Sequence, residues 1–214
     1  MSALTPEDRA RRIKVLLYDV DGVLTNGDIT IIPPLDGNPE SRATGAFSHA
    51  VGAFSHAVEI KSFSAHDGMG ISIARLAGLS IGWVTKRNSQ VVSIRARDLK
   101  IDHVYQGQSH KVDALNKILA AESCTLDEIA YVGDDIIDLP VMRKVGFAIA
   151  VANARPQAKA VAHYITPNPG GQGAGRDAID FILNARGILD QTIEQYLDAD
   201  NPAAKAADIG VGNM

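Results

Sequence analysis

The chain has 214 residues, of which 46% are hydrophobic and 21% are charged, and its formal net charge is −4. This length suits one domain with a sizeable core and is too short for two ordinary domains. The negative net charge argues against a general nucleic-acid binder, which needs a basic face. With a single cysteine, Cys124, the chain can form neither an internal disulfide nor a multi-cysteine metal site.

The first residues, MSALTPEDRARRIK, are charged, and the apolar run that follows them ends at Asp19. That run is too short for a secretory signal or a membrane span. We therefore expect a cytoplasmic protein that does not associate with a membrane.

Five short apolar runs alternate with helical patterns along the chain. The runs are 15–18, 79–84, 103–105, 129–132 and 147–151. Continuous apolar runs are typical of strands buried on both faces, as in a parallel sheet covered by helices. Between them, helical spacing predicts several helices, including one capped by Asp67 and one over 111–121. The repeated order predicts an α/β fold with a doubly wound parallel sheet.

Two regions interrupt this alternation. Residues 26–66 lack a good helical pattern and contain the tandem repeat GAFSHAV at 45–51 and 52–58, which indicates a loop or hairpin excursion. We interpret 1–190 as a single domain that carries this excursion. The segment 191–214 is expected to be a C-terminal tail, mobile at its end unless other residues hold it.

The strongest chemical signal follows the first predicted strand. Asp19 and Asp21 are two positions apart, so both side chains point to one side, and Gly22 permits a sharp turn. Ligands of a doubly wound sheet bind beyond the carboxyl ends of its strands, where these carboxylates fall. Two neighbouring carboxylates suit a hard cation such as Mg²⁺. The alternative interpretation is a capped turn without chemistry.

Further polar residues follow the later predicted strands. An acidic turn after the fourth strand contains Asp134, Asp135 and Asp138, which either complete the metal site or cap a helix. Thr85 ends the second strand, and Lys111 opens a helix. A hydroxyl and an ammonium suit the equatorial oxygens of a phosphoryl group, although each alone is also typical of a cap or a solvated surface.

Together these motifs resemble the haloacid dehalogenase (HAD) superfamily over roughly Lys14 to Arg186. The stretches DVDGVLT from Asp19, HVYQGQSHK ending at Lys111 and YVGDDIIDLPVM from Tyr131 resemble one branch, the 3-deoxy-D-manno-octulosonate 8-phosphate (KDO-8-phosphate) phosphatases. The resemblance implies a HAD-like Rossmann-type α/β fold without a cap domain but with a β-hairpin excursion. It also implies Mg²⁺-dependent hydrolysis of a phosphorylated sugar acid.

The resemblance further implies roles for the matching positions. Asp19 would attack phosphorus, and Asp21 would protonate the leaving oxygen and then activate water. Mg²⁺ would be held by the Asp19 carboxylate, the Asp21 backbone carbonyl and Asp134. Thr85 and Lys111 would hold the phosphoryl oxygens. The sugar-acid contacts of the family map onto His66, Asp67, Gly68, Arg87, Arg95 and Lys111.

The chain also departs from this branch. His66, Ser72 and Lys86 stand where the branch commonly has Arg, Arg and Gly. Because His is largely neutral near pH 7, fewer fixed positive charges would face a carboxylated sugar. KDO-8-phosphate is the leading substrate, and a related nine-carbon sugar-acid phosphate or another phosphometabolite is the alternative. An alternative of another class is a regulatory or binding module without turnover, against which the intact motif residues argue.

The absence of a cap beside the excursion predicts a homo-oligomer. Exposed apolar side chains cost about 25 cal/mol per Å² in water, and burial between copies removes that cost. Closed symmetry is usual for such assemblies, and the resemblance implies a homotetramer whose neighbours cover each other's active sites. The apolar residues concerned are Ile29, Ile31, Ile32, Phe47, Phe54 and Phe63.

Overall fold

The structure is a computed structural model that describes residues 4–32 and 58–209. Its strands are β1 (Val15–Tyr18), β2 (Thr30–Ile32), β3 (Val58–Ile60), β4 (Ser80–Val84), β5 (His103–Tyr105), β6 (Ile129–Gly133), β7 (Phe147–Ala150) and β8 (Tyr164–Ile165). Its helices are α1 (Pro6–Ala10), α2 (Ala65–Leu76), α3 (Gln90–Asp98), α4 (Lys111–Glu122), α5 (Leu139–Met142), α6 (Pro156–Val161), α7 (Ala174–Ala185), α8 (Leu189–Leu197) and α9 (Pro202–Ala207).

Six strands form one parallel sheet in the order β5-β4-β1-β6-β7-β8. The chain begins the sheet at β1, extends it on one side through β4 and β5, and returns to the other side of β1 with β6. This topology confirms the predicted doubly wound α/β fold, and all five apolar runs are strands of the sheet. Strand β8 was not predicted because its two residues, Tyr164 and Ile165, are too few to form a pattern.

The core lies on both faces of the sheet. Strands β1, β6 and β7 are buried at every position, which explains their continuous apolar runs. Helix α7 packs against α1 and α2 and buries one apolar side. The largest fully buried side chains include Trp83, Tyr18, Tyr131 and Phe147.

Helix α2 begins after Ser64, whose hydroxyl accepts a hydrogen bond from the His66 backbone N–H at 3.2 Å. The prediction that Asp67 caps this helix is wrong, because the extended backbone at Ser64 brings a hydroxyl to the first turn three residues earlier. The Asp67 carboxylate instead accepts from the backbone N–H of Arg176 at 2.8 Å. Asp67 therefore links α2 to α7.

The excursion begins and ends as an antiparallel pair, β2 and β3, in which Thr30 lies opposite Ile60. Both copies of the sequence repeat lie outside the described residues, apart from the backbone of Val58, as do Phe47 and Phe54. Four isoleucines of the pair region are exposed: Ile29, Ile31, Ile32 and Ile60. Phe63 was expected to be buried by another copy of the chain. It is instead partly covered within its own chain, where its ring stacks on Trp83 with ring centroids 6.0 Å apart.

The C-terminal segment is helical over much of its described part. Helix α8 runs across the predicted boundary at 190, and α9 packs against α2 with Ala204 and Ala207 buried. Lys100 Nζ donates to the carbonyls of Ala206 and Asp208 at 3.3 and 2.8 Å. These contacts hold 191–209 on the domain. None of the helices in the described ranges combines the length and apolar composition that a bilayer crossing requires.

Candidate active site

The site lies where β1 is flanked by β4 and β6. The strand register places Tyr18 beside Trp83 and Val132, so the residues that follow these strands lie close together. A cleft of about 180 Å³ opens at this edge of the sheet, at the point where the strand order reverses. The cleft is lined by Asp19, Asp21, Thr85, Lys86, Arg87, Asp134, Asp135 and Ile137.

Asp19 lies at the base of the cleft and is 5% exposed. Its Oδ2 pairs with Lys111 Nζ at 2.8 Å, and its Oδ1 accepts from the Val20 backbone N–H at 2.7 Å. Burial and the neighbouring Asp138 carboxylate raise the pKa of Asp19 to about 7. Burial acts to lower the pKa of Lys111, but Asp19 and Asp138 outweigh it, so that pKa lies above its ordinary value. Lys111 is therefore a buried cation beside the Asp19 carboxylate.

Asp138 holds several parts of the site together. Its Oδ1 accepts from Lys111 Nζ and from the Tyr131 hydroxyl, each at 2.7 Å. Its Oδ2 accepts from the backbone N–H groups of Asp134 and Asp135 at 2.9 and 3.3 Å. Four donors saturate a carboxylate. Asp138 therefore positions Lys111 and the acidic turn.

Three carboxylates form a group that suits a metal ion. One oxygen from each of Asp19, Asp134 and Asp138 lies within 4.8 Å of the others. Burial, then the charges of Asp138 and Asp19, raise the pKa of Asp134 to about 7, and a divalent cation would relieve this repulsion. All-oxygen donors fit Mg²⁺. Because Asp138 is saturated, Asp19 and Asp134 are the side chains best suited to be ligands.

Gly22 allows Asp134 to approach the loop after β1. Its φ is +89°, and a Cβ at this position would lie 2.3 Å from Asp134 Oδ2. A side chain at residue 22 would therefore strain the backbone and displace the carboxylate. The glycine after the two aspartates thus serves both the turn and the acidic group.

Asp21 lies at the mouth of the cleft and contacts a lysine that the sequence did not single out. Its Oδ1 pairs with Lys61 Nζ, and its Oδ2 lies 3.9 Å from Arg87 Nε. Glu59 pairs with both cations, with Lys61 at 3.3 Å and with Arg87 at 3.0 Å. Thr85 lies beside this group, and its hydroxyl accepts from the Arg87 backbone N–H at 3.4 Å.

The structure divides the predicted sugar-acid residues into two groups. Arg87 lines the cleft, and Lys111 contacts Asp19 at its base. Asp67 is buried against α7, and burial raises its pKa to about 6. Arg95 pairs with Asp98 at 2.6 Å, and its Nη2 lies 3.0 Å from where a Cβ would stand on Gly68. The lining of the cleft in the described chain does not include His66, Asp67, Gly68 or Arg95.

The departures from the family pattern also differ in position. Lys86 lines the cleft, so its added charge faces any ligand there. Ser72 is fully buried in α2, so it does not face a ligand. The residues that sequence reasoning missed are Lys61 and Glu59. The two residues are two positions apart in or beside a short strand, so their side chains lie on the same face. This spacing is the sequence signal that could have identified them as a pair.

Comparison with known proteins identifies the family. A family model for haloacid dehalogenase-like hydrolases matches residues 81–174. The 3-deoxy-D-manno-octulosonate 8-phosphate phosphatase of Escherichia coli K12 is 38% identical over 189 residues, which cover 88% of this chain and 89% of that protein. The chain belongs to this phosphatase family. It is therefore an enzyme that hydrolyses phosphoric monoesters, as the resemblance implied.

Solved structures of the family share the fold. The phosphatase from Yersinia pestis aligns with a TM-score of 0.74 at 36% identity, covering 86% of this chain and 88% of that one. The phosphatase from Moraxella catarrhalis, solved in complex with magnesium, phosphate and KDO, aligns with a TM-score of 0.75 at 34% identity. The alignment covers 89% of this chain and 97% of that one. The HAD-like fold predicted from the motifs is thus confirmed.

Proposed function

We propose that this protein hydrolyses KDO-8-phosphate to KDO and phosphate through a phosphorylated Asp19. The observation that carries the proposal is the Asp19 carboxylate, paired with Lys111 at the base of a cleft that Asp21 also lines. The substrate follows from the family relatives, which are named for it.

The residues of the cleft suit the steps of phosphoryl transfer. Asp19 attacks phosphorus and forms an acyl phosphate, while Asp21 donates a proton to the leaving oxygen. Asp21 then accepts a proton from the water that hydrolyses the acyl phosphate. Thr85 and Lys111 bind the phosphoryl oxygens, whose charge must be neutralised during transfer. Mg²⁺, held by Asp19 and Asp134, would supply further positive charge.

The cationic edge of the cleft supports a substrate with a carboxylate. Lys86 and Arg87 lie side by side in the lining. Arg87 is paired with Glu59, whereas the structure gives Lys86 no ion pair within the described ranges. Lys86 is therefore available to a sugar-acid carboxylate. A related nine-carbon sugar-acid phosphate carries the same group and is the second candidate.

A phosphatase assay over a panel of substrates tests the proposal. Phosphate release is measured with KDO-8-phosphate, a nine-carbon sugar-acid 9-phosphate and a neutral hexose 6-phosphate, each with Mg²⁺ and with EDTA. We expect the highest kcat/KM for KDO-8-phosphate and no release in EDTA. A higher value for the nine-carbon substrate would transfer the assignment to it, and no release from any substrate would favour a non-catalytic module.

The assembly and location belong to the same proposal. The exposed isoleucines of β2 and β3 present an apolar surface that copies of the chain would bury, in a homotetramer that closes each cleft. We also propose a cytoplasmic location and no nucleic-acid or membrane partner.

A further inference from the structure

A network of ion pairs with alternating charges links Asp21 to the start of α3. Lys61 Nζ contacts Asp21 Oδ1 and lies 3.3 Å from Glu59 Oε1. Glu59 also accepts from Arg87 Nη2 at 3.0 Å and from the Ser89 hydroxyl. Ser89 is the N-cap of α3. The second arm of the hairpin is thereby joined both to the cleft and to the connection between β4 and α3.

Lys61 is the central member of this ion-pair network. Its side chain is 1% exposed, while the carboxylates of Asp21 and Glu59 are 21% and 19% exposed. A buried ammonium is costly unless it is paired on each side, and here two carboxylates pair with it. These two pairs restrict the movement of the ammonium, and Lys61 in turn restrains the Asp21 oxygen that it contacts.

We propose that Lys61 is a positioning residue for Asp21 and that Glu59 holds Lys61 in place. The proposal rests on the proposed function, in which Asp21 transfers a proton to and from the reacting oxygens. Such transfer requires hydrogen-bond reach, and a misplacement of about 1 Å costs about a hundredfold in rate. Because Glu59 lies in β3 and Lys61 follows it, the hairpin contributes directly to the catalytic geometry.

The surroundings of Lys61 argue against a role as a phosphoryl ligand. Its ammonium contacts Asp21 and Glu59, whereas it is Lys111 that contacts the nucleophile Asp19. Thr85 lines the same cleft as Asp19. The two roles predict different kinetics, so they are separable by experiment.

The test compares two aryl phosphates that differ mainly in their leaving group. Phenyl phosphate needs its leaving oxygen protonated, whereas p-nitrophenyl phosphate needs this much less. The parameter kcat/KM reports the steps up to leaving-group departure, so slow hydrolysis of the phosphoenzyme does not mask the effect. In Lys61→Met, we expect kcat/KM for phenyl phosphate to fall about tenfold or more beyond any fall for p-nitrophenyl phosphate. Inhibition by inorganic phosphate should be unchanged.

Three further variants complete the experiment. Glu59→Gln should show the same pattern more weakly, and Lys61→Arg should restore part of the rate because it keeps the charge. Lys14→Met is the matched control, since it removes a lysine–carboxylate pair with Glu128 at the opposite end of β1. Lys14→Met should leave kcat/KM unchanged for both aryl phosphates. Equal losses on both aryl phosphates with weaker phosphate inhibition, or no loss at all, would overturn the proposal.

A crystal structure of Lys61→Met or Glu59→Gln provides a readout that does not depend on activity. We expect the Asp21 carboxylate to leave its wild-type position while Asp19 and Lys111 keep theirs. An unmoved Asp21 in both variants would overturn the positioning role. Failure of the wild-type protein to hydrolyse any phosphomonoester would instead refute the proposed function, so the two failures are distinguishable.

Discussion

At the scale of single residues, the site depends on buried charges that compensate one another. Lys111 has a carboxylate on either side, Asp19 and Asp138, and Asp138 also fixes the acidic turn through backbone N–H groups. Removing one member of such a group leaves an unpaired buried charge, which is strongly destabilising. The least disruptive probe of the candidate metal site is therefore a residue without charge, Gly22.

We expect Gly22→Ala to weaken Mg²⁺ binding by about tenfold or more, because its Cβ would displace the Asp134 carboxylate. Gly78→Ala is the matched control. Gly78 also has a positive φ, +78°, but a Cβ there meets nothing within 4 Å. Both variants share the backbone strain, and only Gly22→Ala has the clash. Mg²⁺ titration by calorimetry measures the difference, and equal affinities in the two variants would contradict the proposed site.

At the scale of elements, the contact between α2 and α7 contains a buried carboxyl. Asp67 is 4% exposed, and its Oδ2 has no hydrogen-bond partner in the described part of the chain. Burial raises its pKa to about 6 from an ordinary 3.8. Below pH 3.8 the Asp67 carboxyl is protonated in both the folded and the unfolded protein. As the pH rises, it ionises first in the unfolded protein. The protonated carboxyl therefore stabilises the fold at low pH, and this contribution is lost as the pH passes 6.

We expect Asp67→Asn to gain stability relative to the wild type as the pH rises from 4 to 7, by up to about 3 kcal/mol. Urea denaturation at several pH values measures the free energy of unfolding of both proteins. The other titrating groups contribute equally to both and cancel in the difference. Asp8→Asn is a control of opposite sign in a different range: hydrogen bonds with Thr5 lower the pKa of Asp8, so the wild type loses stability relative to this variant as the pH falls below 3.8, and little should change between pH 4 and 7. A difference between Asp67→Asn and the wild type that does not change with pH would show that Asp67 is not buried as described.

The sheet was predictable because its strands are buried on both faces, and such burial leaves continuous apolar runs in the sequence. The positions of Asp19, Thr85 and Asp134 follow from the strands that precede them. The contact between Lys61 and Asp21 was not predictable, because it depends on where the chain returns after the excursion. The capping role assigned to Asp67 failed for a local reason, namely the earlier hydroxyl of Ser64.

At the scale of the whole molecule, exposed isoleucines cluster in the hairpin region, at Ile29, Ile31, Ile32 and Ile60. Ile31 is 54% exposed in β2, and Ile165 is 45% exposed in β8, at the edge of the main sheet. If the hairpin forms the interface between copies, a charge is costly at Ile31 and tolerated at Ile165. The homotetramer remains a prediction that these two positions can test.

We expect the wild type and Ile165→Lys to be tetramers and Ile31→Lys to dissociate, with a loss of turnover because each cleft loses its cover. Light scattering coupled to gel filtration gives the mass of each protein. A monomeric wild type with full activity would rule out a shared site. Dissociation of Ile165→Lys alone would move the interface to the edge of the main sheet.

The most direct test of the central claim is the rate of phosphate release from KDO-8-phosphate by the wild type and by Asp19→Asn. An amide cannot form the acyl phosphate, so we expect Mg²⁺-dependent release by the wild type and none above background by the variant. Circular dichroism of both proteins serves as the control for folding. Release by Asp19→Asn at more than a few per cent of the wild-type rate would contradict covalent catalysis at Asp19.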